Sequence, residues 1–329
     1  MKLSRHLVLL ALALTFCSGT VLAQQKIVIK LGWATSDAPQ DNFAMGARAF
    51  KSALEETAKG AFDVQLYPNR QIGDEKQLVE GLRIGTVDAA VVTNSVYAQV
   101  TPAYLLHDLP FIYADEAQAF KVYNGDVGRK MAAQIEKRGI VMLGGFSSGY
   151  RQMLNNKRPV VVPDDVKGVK FRTMQNPVAI EMYTVLGGSP APMAWSETLT
   201  ALQQGAMDGM DLPIPLIDSL KVYEAVKFLS LTNHTFSFAG LGMSKRFYDR
   251  LTSAQRDAVR KAAVRASADQ RKAAAELDAK YLQTLKDKGM VVNVVQNTAA
   301  FREKSLPVYE KFRADIGSDL LNAALKQIK

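Results

Sequence analysis

Through most of the chain, apolar runs of strand length alternate with segments of helical period. Ile27–Gly32, Phe62–Tyr67 and Ala89–Val92 read as strands. Between them, Asn42–Ala58 carries Phe43, Ala47, Phe50 and Leu54 on one helical face, and Gly73–Ile84 reads as a second helix. A strand followed by a helix before the chain can pair again requires a crossover, and repeated crossovers build largely parallel sheets covered by helices. A βα series of the same kind recurs downstream, with strands at Val169–Thr173, Ser189–Ala191 and Met207–Asp211 and helices at Pro177–Leu186 and Ser196–Gln204. The predicted fold class is therefore α/β, in two domains.

Between the two series lie two helical segments divided near Asn124-Gly125 and a strand at Ile140–Phe146. Gly144-Gly145 and Gly149 lack both a Walker lysine and a dinucleotide fingerprint, so they read as a flexible crossing point and not as a phosphate loop. The apolar stretches Lys227–Leu231 and Thr235–Met243 then return the chain to the first domain. The expected division is 24–147 plus about 235–255 for the first domain, and 148–234 plus parts of the C-terminal region for the second. More than one crossing makes a hinge of the connection. From Thr252 the chain turns strongly helical: Thr252 and Gln255 have capping-box spacing and Gly289 is a fitting stop, so one long helix is expected over about 252–288. No heptad repeat is sustained enough to make it a coiled coil.

Residues 1–23 carry a basic start at Lys2 and Arg5, an apolar run from Leu7 to Phe16, and the small residues Val21 and Ala23 at the positions that govern cleavage. They read as a secretory signal peptide cleaved after Ala23, since the apolar run is too short to span about 30 Å of hydrocarbon. Cys17 raises lipid attachment as an alternative, but bulky Phe16 precedes it where a small residue is expected. Cleavage removes the sole cysteine, so the mature chain has no disulfide, thiol nucleophile or thiolate ligand. The formal charge falls from +9 to +7 with Lys2 and Arg5, spread without a sustained basic run or interleaved aromatics, so a solvated basic surface outweighs nucleic-acid binding and no nucleic-acid partner is expected.

The segment Gly168–Pro213 holds the residues with the most specific chemistry. Arg172 ends the strand that begins at Val169, and Asn176-Pro177 follows as a helix start. A guanidinium presents a planar fork to both oxygens of a carboxylate, and a nearby helix N-terminus adds favourable potential for an anion. This segment resembles the signature region of the solute-binding proteins that serve tripartite ATP-independent periplasmic (TRAP) transporters, and the resemblance covers essentially the whole mature chain. It implies a two-domain periplasmic binding protein of the Venus-flytrap type, with a hinge and a long C-terminal helix bracing both domains.

The resemblance also implies roles. Arg172 in VKFR matches the arginine that pairs with the ligand carboxylate. Arg151 in Gly149-Tyr150-Arg151-Gln152 matches the family's other recurrent arginine, with pairing to a neighbouring acid as the alternative. Gln175 matches a frequent polar contact, and Trp195 in PMAWSE an aromatic cleft wall, with core packing as the alternative. Asp211 is expected either to accept hydrogen bonds from ligand hydroxyls or to pair with an arginine. Trp33, Thr93 and Asn94 are expected on the facing wall, Glu75 at the rim, and His234 either on the ligand or as a hydrogen-bonded hinge histidine. One departure stands out: the family often reads Asp-Gly-x-Glu-Asn-Pro, where this chain has Asp208-Gly209-Met210-Asp211-Leu212-Pro213, and Leu212 cannot donate the asparagine's hydrogen bond.

The mature chain has two histidines, His107 and His234, no GxSxG elbow and no HExxH helix, so no local pattern supports an enzyme. The expectation is a periplasmic receptor without cofactor or metal. It would capture a small organic acid, with uronates or aldonates ranked first and C4 dicarboxylates or hydroxy and keto acids next, and deliver it as a monomer to the membrane subunits of a TRAP permease. The alternatives are a periplasmic enzyme acting on a small acid, or a receptor for an ATP-driven importer or sensor kinase.

Overall fold

The computed structural model describes residues 26–328. The signal-peptide reading and Cys17 lie outside the described residues. Among the described residues nine strands form one sheet: β1 Ile27–Gly32, β2 Phe62–Tyr67, β3 Ala89–Thr93, β4 Ile140–Asn155, β5 Lys170–Thr173, β6 Ser189–Pro192, β7 Gly209–Pro213, β8 Phe228–Ser244 and β9 Val291–Val294. Their order is β2-β1-β3-β8-β4-β7-β5-β6, with β9 added on β8. Within each outer group the strands are parallel, as the βα alternation predicts. At the centre β4 and β8 run antiparallel to each other and to their neighbours β7 and β3. The mixed character comes from these two strands, which belong to both lobes at once.

The continuity of β4 and β8 corrects the expected crossing point. The strand predicted to stop at Phe146 runs on to Asn155, and the two segments predicted at Lys227–Leu231 and Thr235–Met243 are one strand, β8. Their pairing shifts register between Met142 and Gly144, between Ser147 and Gly149, and between Arg151 and Met153. Each shift bends the ribbon without breaking it. Gly149 takes φ +92°, where a side chain would be strained, so the glycine serves a bulge and not a loose loop. Gln270 secures the same point: its Oε1 accepts from the Ser147 N–H at 2.9 Å and its Nε2 donates to the Ser147 carbonyl at 2.8 Å. A bulge leaves backbone groups unpaired, and this amide satisfies them.

The single long helix predicted over 252–288 is two helices, Ser253–Ala275 and Asp278–Asp287. The capping box forms as expected, Thr252 N–H to Gln255 Oε1 at 2.8 Å and Gln255 N–H to Thr252 Oγ1 at 3.3 Å. The break at Glu276-Leu277 is marked by a tightened Leu277 N–H to Ala274 carbonyl bond of 3.0 Å. It lets each helix follow its own lobe. The first packs on the Asn42–Thr57 helix, with Arg265 paired to Glu56 at 2.7 Å; the second packs on the Ile214–Ser219 helix, with Lys288 paired to Asp218 at 2.6 Å. Bracing of both lobes is retained through a bend. A further helix, Ala299–Ile316, lies against the Pro177–Leu186 helix of one lobe and reaches the other through the Tyr309 hydroxyl, which donates to the Pro110 carbonyl at 2.8 Å.

Candidate functional site

The cleft between the lobes forms where β3, β5 and β7 end, beyond the carboxyl ends of parallel strands. It has an outer chamber of about 250 Å³ and an inner one of about 30 Å³. Glu75, Arg172, Met174 and Trp195 border both chambers.

Arg172 is the third residue of β5 and is buried. Its Nε and one terminal nitrogen donate to the Met193 carbonyl at 3.1 and 2.7 Å. Among the described residues it has no carboxylate within ion-pair distance. Burial, followed by repulsion from Arg151, lowers its pKa to about 10. A desolvated cation held next to a second cation, with only a neutral carbonyl as partner, is a site that gains from an incoming anion.

Arg151 on β4 is in the opposite condition. It grips Asp211 of β7 through Nε to Oδ2 at 2.6 Å, and through a terminal nitrogen to Oδ1 at 3.1 Å and to the Asp211 carbonyl at 2.6 Å. The strand register sets these residues near each other, since Met153 pairs with Asp211 and Arg151 with Pro213. His234 Nε2 lies 3.0 Å from Asp211 Oδ2, and its Nδ1 lies 2.7 Å from Thr232 Oγ1. Burial alone would raise Asp211, but Arg151 and His234 hold its carboxyl far below the usual range. The alternatives of an acid-paired Arg151, an arginine-paired Asp211 and a hydrogen-bonded His234 are thus what the geometry displays, although Arg151 also reaches the wall of the inner chamber.

The remaining candidates separate into wall and interior. Thr93 lines the inner chamber, and its N–H donates to Glu75 Oε1 at 2.7 Å. Glu75 opens the Glu75–Ile84 helix behind the Asp74 cap, and burial raises its pKa. Trp195 is partly exposed at the first turn of the Trp195–Gln203 helix. Gln175 is exposed at the outer chamber, where its carbonyl accepts from Gln99 Nε2 at 3.4 Å. Trp33, Asn94, Asp211 and His234 border neither chamber. Trp33 corrects the expected facing wall: it is fully buried in the first lobe's core with its indole N–H on the Ser36 carbonyl at 3.0 Å, and the smaller Ala34 and Thr35 face the inner chamber instead. Asn94 starts the short helix Asn94–Tyr97 and is buried beneath it.

Sequence reasoning missed Ser148, Phe43, Leu216 and Leu220, all on the inner chamber. Phe43 was legible only as a core residue of its helix. The spacing of Leu216 and Leu220 is a usable signal, because residues four apart share a helical face, whereas Leu212 precedes the helix on β7.

Several bonds tie the lobes around the cleft. Asp74 Oδ2 accepts from the Ser196 N–H at 3.2 Å, Gln40 Nε2 donates to Asp218 at 2.9 Å, and the Ser219 hydroxyl donates to Asp41 at 3.2 Å. Asn176 caps its own helix by accepting from the Val178 and Ala179 N–H groups, and its Nδ2 reaches across to Asp108 at 2.8 Å and the Ser95 carbonyl at 3.2 Å. Burial pushes Asp108 up to about 7. Among the described residues no group of three His, Cys, Asp or Glu side chains is placed to hold a metal, and no helix is long and apolar enough to cross a membrane.

Residues 33–315 match the model of bacterial extracellular solute-binding protein family 7. The chain is 32% identical over 311 residues to the 2,3-diketo-L-gulonate-binding periplasmic protein YiaO of Escherichia coli K12, covering 94% of this chain and 93% of the relative. A TRAP periplasmic solute-binding protein from Polaromonas sp. JS666, solved bound to D-erythronate, superposes with a TM-score of 0.88 at 32% identity, covering 91% of this chain and 98% of that one. Another from Bordetella bronchiseptica, with density assigned as pantoate, gives 0.88 at 33% identity, covering 92% and 99%. These relatives are binding proteins of a periplasmic family, and the chambers found here lie within the matched residues. The chain belongs to bacterial extracellular solute-binding protein family 7, the solute-binding proteins of TRAP transporters.

Proposed function

We propose that Arg172 receives the carboxylate of a small organic acid in the periplasm and that the loaded protein hands the acid to a TRAP permease. The observation that carries this reading is a buried guanidinium with a neutral carbonyl as its only hydrogen-bond partner among the described residues. A carboxylate there forms the charge-assisted pair that the site lacks, in surroundings where water screens it little. The relatives' ligands, diketogulonate, erythronate and pantoate, are all acids and support the class. The family's periplasmic setting supports export of this chain with cleavage after Ala23.

The lobes are proposed to divide at 24–147 plus about 235–255 and at 148–234 plus C-terminal parts. Supporting this, β3 pairs with β8 at Ala239–Met243 while β9 pairs with it at Phe228–Leu231. Closure follows if the acid binds the closed arrangement more tightly than the open one. Trp195 and Glu75 then cover the acid from opposite lobes, with Gln175 and Thr93 at its margins. Arg151 acts at one remove, through the inner wall. A thermal-shift screen of aldonates, uronates, C4 dicarboxylates, and hydroxy and keto acids tests the reading, since a ligand at a hundred times its Kd adds about 2.7 kcal/mol. Arg172→Ala should abolish the shift; a variant that still responds to the same acid refutes the assignment. Turnover of the acid by the purified protein would favour an enzyme instead.

A further inference from the structure

The inner chamber is small and mostly apolar, and it is here that the chain departs from the family's sequence pattern. Leu212 on β7, Leu216 on the helix that follows and Leu220 at that helix's C-cap line one side, and Phe43 of the Asn42–Thr57 helix lines it from the first lobe. The polar side chains on the same wall are Thr35, Glu75, Thr93, Ser148, Arg151, Arg172 and Ser237; Glu75 accepts from the Thr93 N–H at 2.7 Å, and two others are already committed. The Thr35 hydroxyl donates to Asp41 at 2.8 Å, and Arg151 is locked on Asp211. Ser148 differs from both. It is fully buried at the Ser147/Gly149 register shift, and among the described residues its hydroxyl has no hydrogen-bond partner. A buried hydroxyl without a partner is costly and marks a place where a ligand group belongs.

We infer that the inner chamber takes a monocarboxylate with a single hydroxyl near the acid and a compact, branched hydrocarbon body, and that Leu212 is the residue that sets this preference. The inference rests on the carboxylate pairing proposed for Arg172. With the acid there, the neighbouring hydroxyl meets Ser148 and the hydrocarbon lies on Leu212, Leu216 and Phe43. A polyhydroxylated chain entering the same space loses water from hydroxyls that the leucines cannot bond, at about tenfold in affinity for each. A branched aliphatic body gains from the same surface. The ranking of sugar acids first, made from the sequence on the expectation of a polar facing wall, is the opposing arm of the test.

The experiment is calorimetric titration of the protein purified from a periplasmic extract and stripped of co-purified ligand. 2-Hydroxyisovalerate and 2-hydroxy-3,3-dimethylbutanoate are compared with erythronate, galactonate and glucuronate. The expected result is a branched hydroxy acid binding at least tenfold tighter than any of the three sugar acids. Leu212→Asn should then weaken the branched acids at least tenfold and narrow the gap, whereas Leu212→Met preserves the order. Sugar acids binding as tightly as the branched acids, still dependent on Arg172, would overturn the inference and leave the carboxylate reading intact. Equal losses for every acid in Leu212→Asn would also overturn it. Should that variant fail to fold, the wild-type ranking together with Leu216→Thr decides the matter. If no acid binds at all, both this inference and the reading beneath it fall.

Discussion

Two buried arginines on strands of the same sheet have opposite electrostatic situations. Arg151 is fully compensated: the Asp211 carboxylate accepts two of its hydrogen bonds and the Asp211 backbone carbonyl a third, and a histidine backs that carboxylate. Arg172 rests on a single neutral carbonyl oxygen. Burying a charge is tolerated when a partner repays the desolvation, and the two sites differ in where that partner comes from. For Arg151 the chain supplies it, so the pair contributes to the architecture. For Arg172 we propose that the partner comes from outside, in keeping with a hydrogen-bond partner that is a neutral carbonyl alone. The contrast shows why identical side chains with equal burial need not share a function.

The largest effect should come from the compensated site. Asp211→Ala leaves Arg151 and His234 facing an empty position and is expected to destabilise the fold by about 3–5 kcal/mol, read from urea midpoints. Arg172→Ala in the ligand-free protein should move stability by no more than about 1 kcal/mol, because a poorly compensated charge leaves together with its hydrogen bonds. Equal losses in the two variants would erase the distinction. On the binding side the order reverses. Arg172→Ala should weaken the acid by about 3 kcal/mol, more than a hundredfold, in a titration. Arg172→Lys keeps the charge but not the fork and should cost about tenfold; retention of full affinity would mean that charge alone is recognised.

The gentlest probe uses pH at the compensated side, where Asp108 lies near Arg151 and Asp211. Folded Asp108 keeps its proton up to about pH 7, whereas its ordinary value is 3.8. Between those values the folded chain binds more protons than the unfolded one, so this residue's contribution to stability declines as pH rises and is lowest above 7. The slope is at most about 1.4 kcal/mol per pH unit. Urea midpoints at several pH values should show the wild type losing ground to Asp108→Asn across that window. A constant difference would mean that Asp108 is ionised throughout.

Much of the architecture was legible because it rests on local periodicity. The Phe62–Tyr67 strand and the Pro177–Leu186 helix fall where their patterns place them. The break in the long C-terminal helix was not legible, because Ala275-Glu276-Leu277-Asp278 contains neither glycine nor proline; the two helices on either side of it pack on different partners, the Asn42–Thr57 and Ile214–Ser219 helices. The continuity of β4 was hidden for the converse reason, since its glycines mimic a loop while a distant glutamine restores the missing hydrogen bonds. At the site, Arg172 and Trp195 were legible from a motif. Trp33 was misplaced because a side chain at a strand end can turn either into the core or out to the cleft, and a tripeptide does not encode which. Ser148 gave no local signal, as its importance lies in what it does not bond.

β4 and β8 pass through both lobes, and their pairing extends from Ile140 with Ser244 to Asn155 with Phe228. A severed half would expose a long run of unpaired backbone donors and acceptors along the cut ribbon, a ready template for aggregation. The lobes are therefore not separable folding units. The molecule should melt in one cooperative step despite its bilobed outline, and a nick in β4 or β8 should unfold the whole chain instead of releasing an intact half.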